Sequence, residues 1–398
     1  MYKHDAMREL LDGEGLDAVI ACTSENVYYL IGFAPVVKVL NPYRGVCWAI
    51  VTAEAPAIVH VVHSHGESDQ ILDASAEVGL TELYGTFYRE VPAGTELDSE
   101  EARLVEMAAH SPMGRSPADA IGALIDKLGL ADARVAIDED GVDRELGDMV
   151  ARRFPAMTMR DGSAILGRLR RVKSAAETAR LAAAARCVEA AILAAAANAQ
   201  VGMSEIDLAR HFECALVTGG ARPSLTMLRA GRHAVFGQRR QTGDVKIQQG
   251  DLLWFDCDAV REMYWADVAR VFTMGSARRH EQRFAALREG QTFGIDAIRP
   301  GMTGGQVFEL VMDVVHRAGF PGYRRHHIGH GIGLEPYERP ILAPGNTDVV
   351  EAGMVLSIET PFYEYGLGAL HVEDPIWVGP DGNTRLTLFD TGLQAINS

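Results

Sequence analysis

Cysteine is scarce in this chain. The five residues Cys22, Cys47, Cys187, Cys214 and Cys257 are spread over 398 positions, and no two form a CxxC pair. An odd, scattered set in mostly apolar surroundings excludes a disulfide framework and a thiolate zinc site. It suits reduced thiols, and the expected location is cytoplasmic. Positive charge is also short: 38 Lys and Arg stand against 54 Asp and Glu, a net charge of −16. Nucleic-acid binding needs clustered cations that displace counterions, so nucleic acid is excluded as a partner, and the acidity reads as solubility. No run of 18 or more apolar residues is present, so no membrane span is expected. The opening MYKHDAMRELLDGEGLDAVI reads as an amphipathic helix leading into a strand. It lacks the basic-then-apolar pattern of a signal peptide.

What is present is ordinary globular composition, 47% hydrophobic and 23% charged, in a chain long enough for two domains. Residues 1–165 alternate strand and helix signals, which indicates an α/β layer domain. LDAVIACT, CWAIVTA and ARVAIDE read as buried strands, and Ser116 to Leu130 as a helix closed by glycine. ENVYYLIGF reads as a turn and short helix. Between residues 160 and 172 the pattern changes to a long alanine-rich helix, opened by the capping-box pair Ser174 and Glu177. A second domain, 166–398, follows and repeats itself. Gly202-Met-Ser and Gly301-Met-Thr each open an amphipathic helix, and Gly220 and Gly319 each close one. A duplicated helix–strand module predicts an α+β domain with a pseudo-two-fold repeat. Its curved antiparallel sheet would carry helices on the convex side and leave the concave face for a small ligand.

Inside that domain, LLWFDCDAV and YWADVARVF read as two strands joined by a tight turn. Asp256, Asp258 and Asp267 interrupt their apolar runs, and buried carboxylates must be paired, hydrogen-bonded or bound to a cation. His330 in HHIGHGIGL, Glu359 in MVLSIETPFY and Glu373 in ALHVEDPIWV lie in similar surroundings. Singly, each has an ordinary reading as a turn histidine, a solvated strand end or a local hydrogen-bonding partner. Together, Asp256, Asp267, His330, Glu359 and Glu373 exceed the ligand count of one tetrahedral ion and suit two divalent cations. So many oxygen donors favour Mn²⁺ above all, and the imidazole also admits Zn²⁺, Co²⁺ or Fe²⁺.

The order Asp–Asp–His–Glu–Glu in these motifs resembles the pita-bread metallopeptidases, the family of methionine aminopeptidase, aminopeptidase P and prolidase (Xaa-Pro dipeptidase). SENVYYLIGF is similar to the N-terminal domain of the prolidase and creatinase branch, and LRRVKSAAE to the start of its catalytic domain. The resemblance implies that Asp256 holds one cation, that His330 and Glu359 hold the other, and that Asp267 and Glu373 bridge them. It implies hydrolysis of an Xaa-Pro bond by a metal-bridged hydroxide, with Glu359 moving the proton. His330 and Tyr337 join Glu359 as expected catalytic residues. The expected substrate contacts are His326, Tyr337, Arg239, Arg339 and His371. A homodimer acting on small peptides, with no nucleic acid or membrane partner, is the expected setting.

The chain departs from that pattern near the site. Tyr337 stands where prolidases carry a histidine, and a phenol can donate to an oxyanion but cannot shuttle protons near neutral pH. No Pro-His precedes the hairpin; Gln238 and Arg239 fall near its place. His371 replaces an arginine two residues before the last glutamate. Asp258 takes a position where small residues are commoner, and a role supporting Asp256 is expected. An Asp-x-Asp pattern also occurs in a dimethylsulfoniopropionate lyase of this fold, so a non-peptidase amide hydrolase or lyase is the alternative. A binding protein without chemistry is disfavoured, because clustered carboxylates lacking cations repel one another.

Overall fold

In a computed structural model describing residues 3–276 and 278–396, contacts divide the chain into Met1–Arg170 and Arg171–Ser398. The first unit alternates α1 (His4–Glu14), β1 (Ala18–Ala21), α2 (Ser24–Ile31), α3 (Val36–Leu40), β2 (Trp48–Thr52), β3 (Ile58–Ser64) and β4 (Glu77–Tyr84). It continues through α4 (Ser99–His110), α5 (Pro117–Lys127), β5 (Arg134–Ile137), α6 (Arg144–Arg153), β6 (Thr158–Asp161) and α7 (Ser163–Arg171). The strands form one mixed sheet in the order β4-β3-β2-β1-β5-β6. The continuous apolar runs are its inner strands: β1 and β2 are buried along their whole length, as expected for a sheet covered on both faces. ENVYYLIGF forms α2, whose first turn is capped by Thr23 accepting from the Asn26 amide. Ser116 caps α5 in the same way, with Pro117 at its first position. Buried Asp138 accepts from the amides of Cys22 and Thr23, the Thr23 hydroxyl and the Asn26 amide, which ties the end of β5 to the start of α2.

The second unit runs α8 (Ala175–Asn198), α9 (Glu205–Thr218), β7 (Arg222–Ala230), β8 (Leu252–Arg261), β9 (Tyr264–Met274), α10 (Glu281–Ala297) and α11 (Gly304–Arg317). Then come β10 (Gly329–Gly331), β11 (Glu338–Ile341), β12 (Val355–Glu359), β13 (Phe362–Glu364), β14 (Gly368–Leu370) and β15 (Glu373–Trp377). Its curved sheet has the order β11-β10-β12-β15-β9-β8-β7, with antiparallel neighbours along that path. The repeat is visible in this order: β7-β8-β9 and β10-β12-β15 run outward from the shared β9–β15 seam. Equivalent punctuation opens both halves. Gly202 and Gly301 have φ of 89° and 93°, and each donates its amide over 2.8 Å, to the carbonyls of Ile247 and Val350. Ser204 and Thr303 then cap α9 and α11.

One feature differs from expectation. Helix α8 is long and apolar enough, by length and composition, to cross a membrane, although half of the qualifying window is buried in the protein. Alanine-rich helices pass such a test without a continuous apolar run. Leu181, Val188 and Ile192 are buried, and Glu189 of this helix binds Arg270 of β9, as in a core helix laid on a sheet.

Candidate metal centre

Residues alternate faces along a strand, so register decides which side chains meet. Arg261 and Tyr264 close a two-residue turn in which Glu262 and Met263 both have positive φ, 49° and 67°. That is the type I′ geometry matched to strand twist. The turn fixes Asp256 opposite Ala269 and Asp258 opposite Asp267. Ala269 in turn faces Glu373, and Glu373 faces Glu359. One row across β8, β9, β15 and β12 therefore carries Asp256, Glu373 and Glu359 on the same face. His330 enters from β10 opposite Ser357. Gly329 before it has φ of 147°, and a Cβ there would collide with the Ser357 carbonyl, so only glycine lets β10 approach β12 this closely.

Two groups of donor atoms converge: Asp256, His371 and Glu373, and Asp267, His330 and Glu373, each with all ligand atoms within 4.8 Å of one another. Glu373 is common to both. Glu359 lies alongside. Its carboxylate is 2.8 Å from His327 Nδ1 and 3.2 Å from Arg325 Nη2, and 3.6 Å from His371 Nε2. Asp258 lies opposite Asp267 in the register and is buried beside it.

The electrostatics are those of a site short of positive charge. Burial, then Asp267 and Glu359, holds Glu373 at about 7. Burial pushes Asp256 and Asp258 well up, reinforced by the neighbouring carboxylates. Burial alone would lower both histidines, but the carboxylates outweigh it and hold His330 at about 9 and His371 at about 10. Glu359 moves the other way: burial would raise it, and His327, His371 and Arg325 pull it well below the usual range. His330 Nε2, His371 Nε2 and Asp267 Oδ1 are buried without a hydrogen-bond partner. His330 Nδ1 is 3.0 Å from the Gly331 carbonyl. A carbonyl only accepts, so Nδ1 carries a proton, and in the neutral ring Nε2 presents a lone pair. Orphaned donor atoms amid surplus negative charge fit divalent cations.

The expected residues fare differently. Asp256, Asp267, His330, Glu359 and Glu373 come together on one face. Tyr337, 52% exposed, stacks on His330 with ring centroids 3.7 Å apart. Burial first, then Glu359, Glu373 and Asp267, raises its phenol above the usual value. His371 is wholly inside the cluster rather than at a substrate-facing rim. Arg339 is exposed and bound to Asp348 at 3.0 Å, so it does not reach the carboxylates. Arg239 is exposed over the Phe236 ring, and His326 is exposed as well. In their place His327 and Arg325 reach Glu359. Neither stood out in the sequence, because HHIGH precedes β10 and no strand periodicity decides which histidine turns inward. Trp254 was also missed, although it lies two residues before Asp256 on the same face of β8. Its indole N–H donates to His371 Nδ1 at 3.3 Å.

The opposite face of the seam is equally organised. Arg270 binds Glu189 at 2.8 Å and Asp374 at 2.6 Å, and donates to the Glu373 carbonyl at 2.8 Å. Gln291 and Thr387 complete Asp374.

Comparison with known proteins agrees with this architecture. Residues 179–380 match the model of "Metallopeptidase family M24", and residues 3–172 that of the creatinase/prolidase N-terminal domain. An Xaa-Pro dipeptidase of Pyrococcus furiosus is 28% identical over 227 residues, 56% of this chain and 65% of that protein. An uncharacterized peptidase of Staphylococcus aureus (strain USA300) is 26% identical over 240 residues, 60% of this chain and 68% of that protein. The matched stretch thus spans about two thirds of these relatives. Among solved structures, an Xaa-Pro dipeptidase from Bacillus anthracis superposes with a TM-score of 0.77 at 21% identity, covering 99% of each chain. A dipeptidase from Mycobacterium ulcerans gives 0.76 at 23% identity, covering 99% of this chain and 96% of that one. At these identities the structures speak to the fold.

Proposed function

Because the chain belongs to metallopeptidase family M24, we propose that it hydrolyses the Xaa-Pro bond of dipeptides or short peptides at a pair of divalent cations. The observation that carries this reading is the pair of buried donor groups sharing Glu373, with His330 Nε2 and Asp267 Oδ1 left without partners. Asp256, Asp267, His330, Glu359 and Glu373 would hold the ions, Mn²⁺ being favoured by the oxygen-rich set. When bound, such ions make a water acidic and polarise the scissile carbonyl. The chain's own groups do the rest. Glu359, kept ionised by His327 and Arg325, is able to take the water's proton and deliver it to the leaving nitrogen. Tyr337, a neutral phenol over His330, is able to donate to the oxyanion. Arg325 and His327 also flank the point where a substrate carboxylate would arrive. The proline preference draws on the names of the relatives. We further propose a cytoplasmic homodimer.

The test is an assay of metal-stripped protein reconstituted with Mn²⁺ on a panel of Xaa-Pro dipeptides and on Ala-Ala. Metal-dependent release of proline from Xaa-Pro alone is expected. Equal rates on Ala-Ala would remove the proline preference. No release from a chain holding two ions would favour the second reading, a non-peptidase amide hydrolase or lyase on this scaffold. The specific observation behind that reading is the extra buried carboxyl of Asp258 opposite Asp267.

A further inference from the structure

His371 and His330 both place an Nε2 in the carboxylate cluster, and position alone would make both of them ligands. Their outer nitrogens separate them. We infer that His371 is a positioning residue: the indole N–H of Trp254 locks it in the Nε2–H tautomer, and it serves as a donor to the shared metal-holding carboxylate of Glu373, beside Glu359, instead of binding metal. The inference rests on the two-cation reading of the site.

The tautomer follows from what each partner can do. His330 Nδ1 meets a backbone carbonyl, an acceptor only. His371 Nδ1 meets Trp254 Nε1 at 3.3 Å, and an indole nitrogen donates only. The acceptor on that side, Asp256 Oδ2, stands off at 3.6 Å, beyond hydrogen-bond reach. Nδ1 of His371 must therefore present its lone pair, which leaves the single proton of a neutral ring on Nε2. If Nε2 instead bound metal, Nδ1–H and the indole N–H would confront each other across 3.3 Å with both hydrogens between them. In the neutral ring, Trp254 decides where the single proton sits. His371 Nε2 lies 3.3 Å from Glu373 Oε2 and 3.6 Å from Glu359 Oε2, so the donor stands between the shared carboxylate and the proposed proton carrier.

Trp254 is held so that it can enforce this. It alternates with Asp256 on the same face of β8. A Cβ at Gly237 would lie 2.6 Å from its ring, and Tyr363 packs edge-on against it with centroids 5.8 Å apart. The indole is wholly buried and has no room to turn away. Its ring lies within 20° of the imidazole plane, so the N–H meets Nδ1 nearly in plane, where the lone pair lies.

The experiment uses the full chain, labelled with ¹⁵N-histidine and loaded with Zn²⁺, with zinc content measured on the same sample. Long-range ¹H–¹⁵N correlation should show His330 protonated at Nδ1 with a metal-shifted Nε2, and His371 protonated at Nε2 with no metal shift. A metal-shifted Nε2 on His371 would overturn the inference. Fewer than two zinc ions per chain would instead count against the two-cation reading, whichever tautomer His371 shows. Trp254→Phe should release the lock and let the Nδ1–H form appear; an unchanged His371 pattern would remove Trp254 from the proposal. His371→Arg, which can donate but not ligate, should hold zinc within about threefold of the parent, whereas His371→Phe should lose roughly 10–100-fold, the usual cost of deleting a partner behind a ligand. Equal losses in the two variants would refute a donor role.

Discussion

Replacing Asp267 by Asn should change the stability of the metal-free chain little and make the metal-loaded chain distinctly less stable. Asp267 shares its pocket with four other buried carboxylates, Asp256, Asp258, Glu359 and Glu373. After burial, its charge is the largest cause holding Glu373 at about 7 instead of 4.5. That displacement is worth about 3 kcal/mol, and with burial the larger share, removing Asp267's charge returns on the order of 1 kcal/mol there. The same charge helps hold His330 at about 9, so its removal costs a similar amount at the imidazole and the two effects largely cancel. The sign is that of a raised acid: Glu373's contribution to stability is present below about pH 4.5 and lost as pH rises through about 7. A cation present at about a hundred times its Kd adds about 2.7 kcal/mol to a chain that binds it only when folded. The parent gains that at each filled site. The variant, lacking a carboxylate of the Asp267–His330–Glu373 group, forgoes most of it at one. Parent and variant should therefore lie close together in EDTA and separate by about 2–3 kcal/mol in Mn²⁺. Urea unfolding at pH 7.5 followed by tryptophan fluorescence reads mainly the right unit, because Trp254, Trp265 and Trp377 lie beyond Arg170 and Trp48 alone before it. A variant that gains as much from Mn²⁺ as the parent would show that Asp267 does not help hold an ion.

Three further outcomes are expected. Arg270→Met leaves Glu189 and Asp374 buried without their shared cation and should cost about 3–5 kcal/mol in the same unfolding assay; a loss under about 1 kcal/mol would mean that the remaining donors satisfy both acids. In the first unit, burial holds His63 at about 4 despite a helping contact from Gln70. Its stabilising contribution is present above about pH 6.5 and lost as pH falls through about 4, on the order of 3 kcal/mol. His63→Leu should flatten the acid limb of thermal stability, and parallel pH profiles for parent and variant would contradict this. Tyr337→Phe should lower kcat about a hundredfold with little change in KM; an unaltered kcat on a cleaved peptide would end its role at the oxyanion.

Much of the site was legible because strands obey period two and glycines mark where the backbone must turn. The hairpin from Leu252 to Phe272 could be read from its β-favouring residues, and period two put Asp256 and Asp258 on one face; the register that adds Asp267 comes from the turn. The repeat could be read from Gly202, Gly220, Gly301 and Gly319, all of which have positive φ. What escaped lies where no period applies. His326 and His327 are neighbours in a segment before β10, and only three-dimensional packing turns the second inward. Arg339 and Arg239 offered charge at suitable distances along the chain, yet one is bound to Asp348 and the other lies over Phe236. Trp254 is the instructive miss. Period two placed it beside Asp256, but a tryptophan in an apolar run reads as core, and nothing in the sequence says that its N–H faces His371.

The seam between β9 and β15 explains why the site can be both highly charged and well placed. Glu373 and Asp374 are consecutive residues, so they point to opposite faces of the sheet. Glu373 belongs to the cation face. Asp374 belongs to the helix face, where Arg270 joins it to Glu189 of α8. Arg270 also binds the Glu373 carbonyl, so the backbone carrying the shared carboxylate is fixed from behind by a buried ion-pair network. Carboxylates that repel one another would spread apart if their strands were free to shift, and a site spread by even an ångström holds metal poorly. Here the strain is taken by Arg270, which touches no proposed ligand side chain. The cost of gathering the carboxylates in the metal-free chain is thus offset on the far side of the same two strands, and the ligand positions are set before any ion arrives.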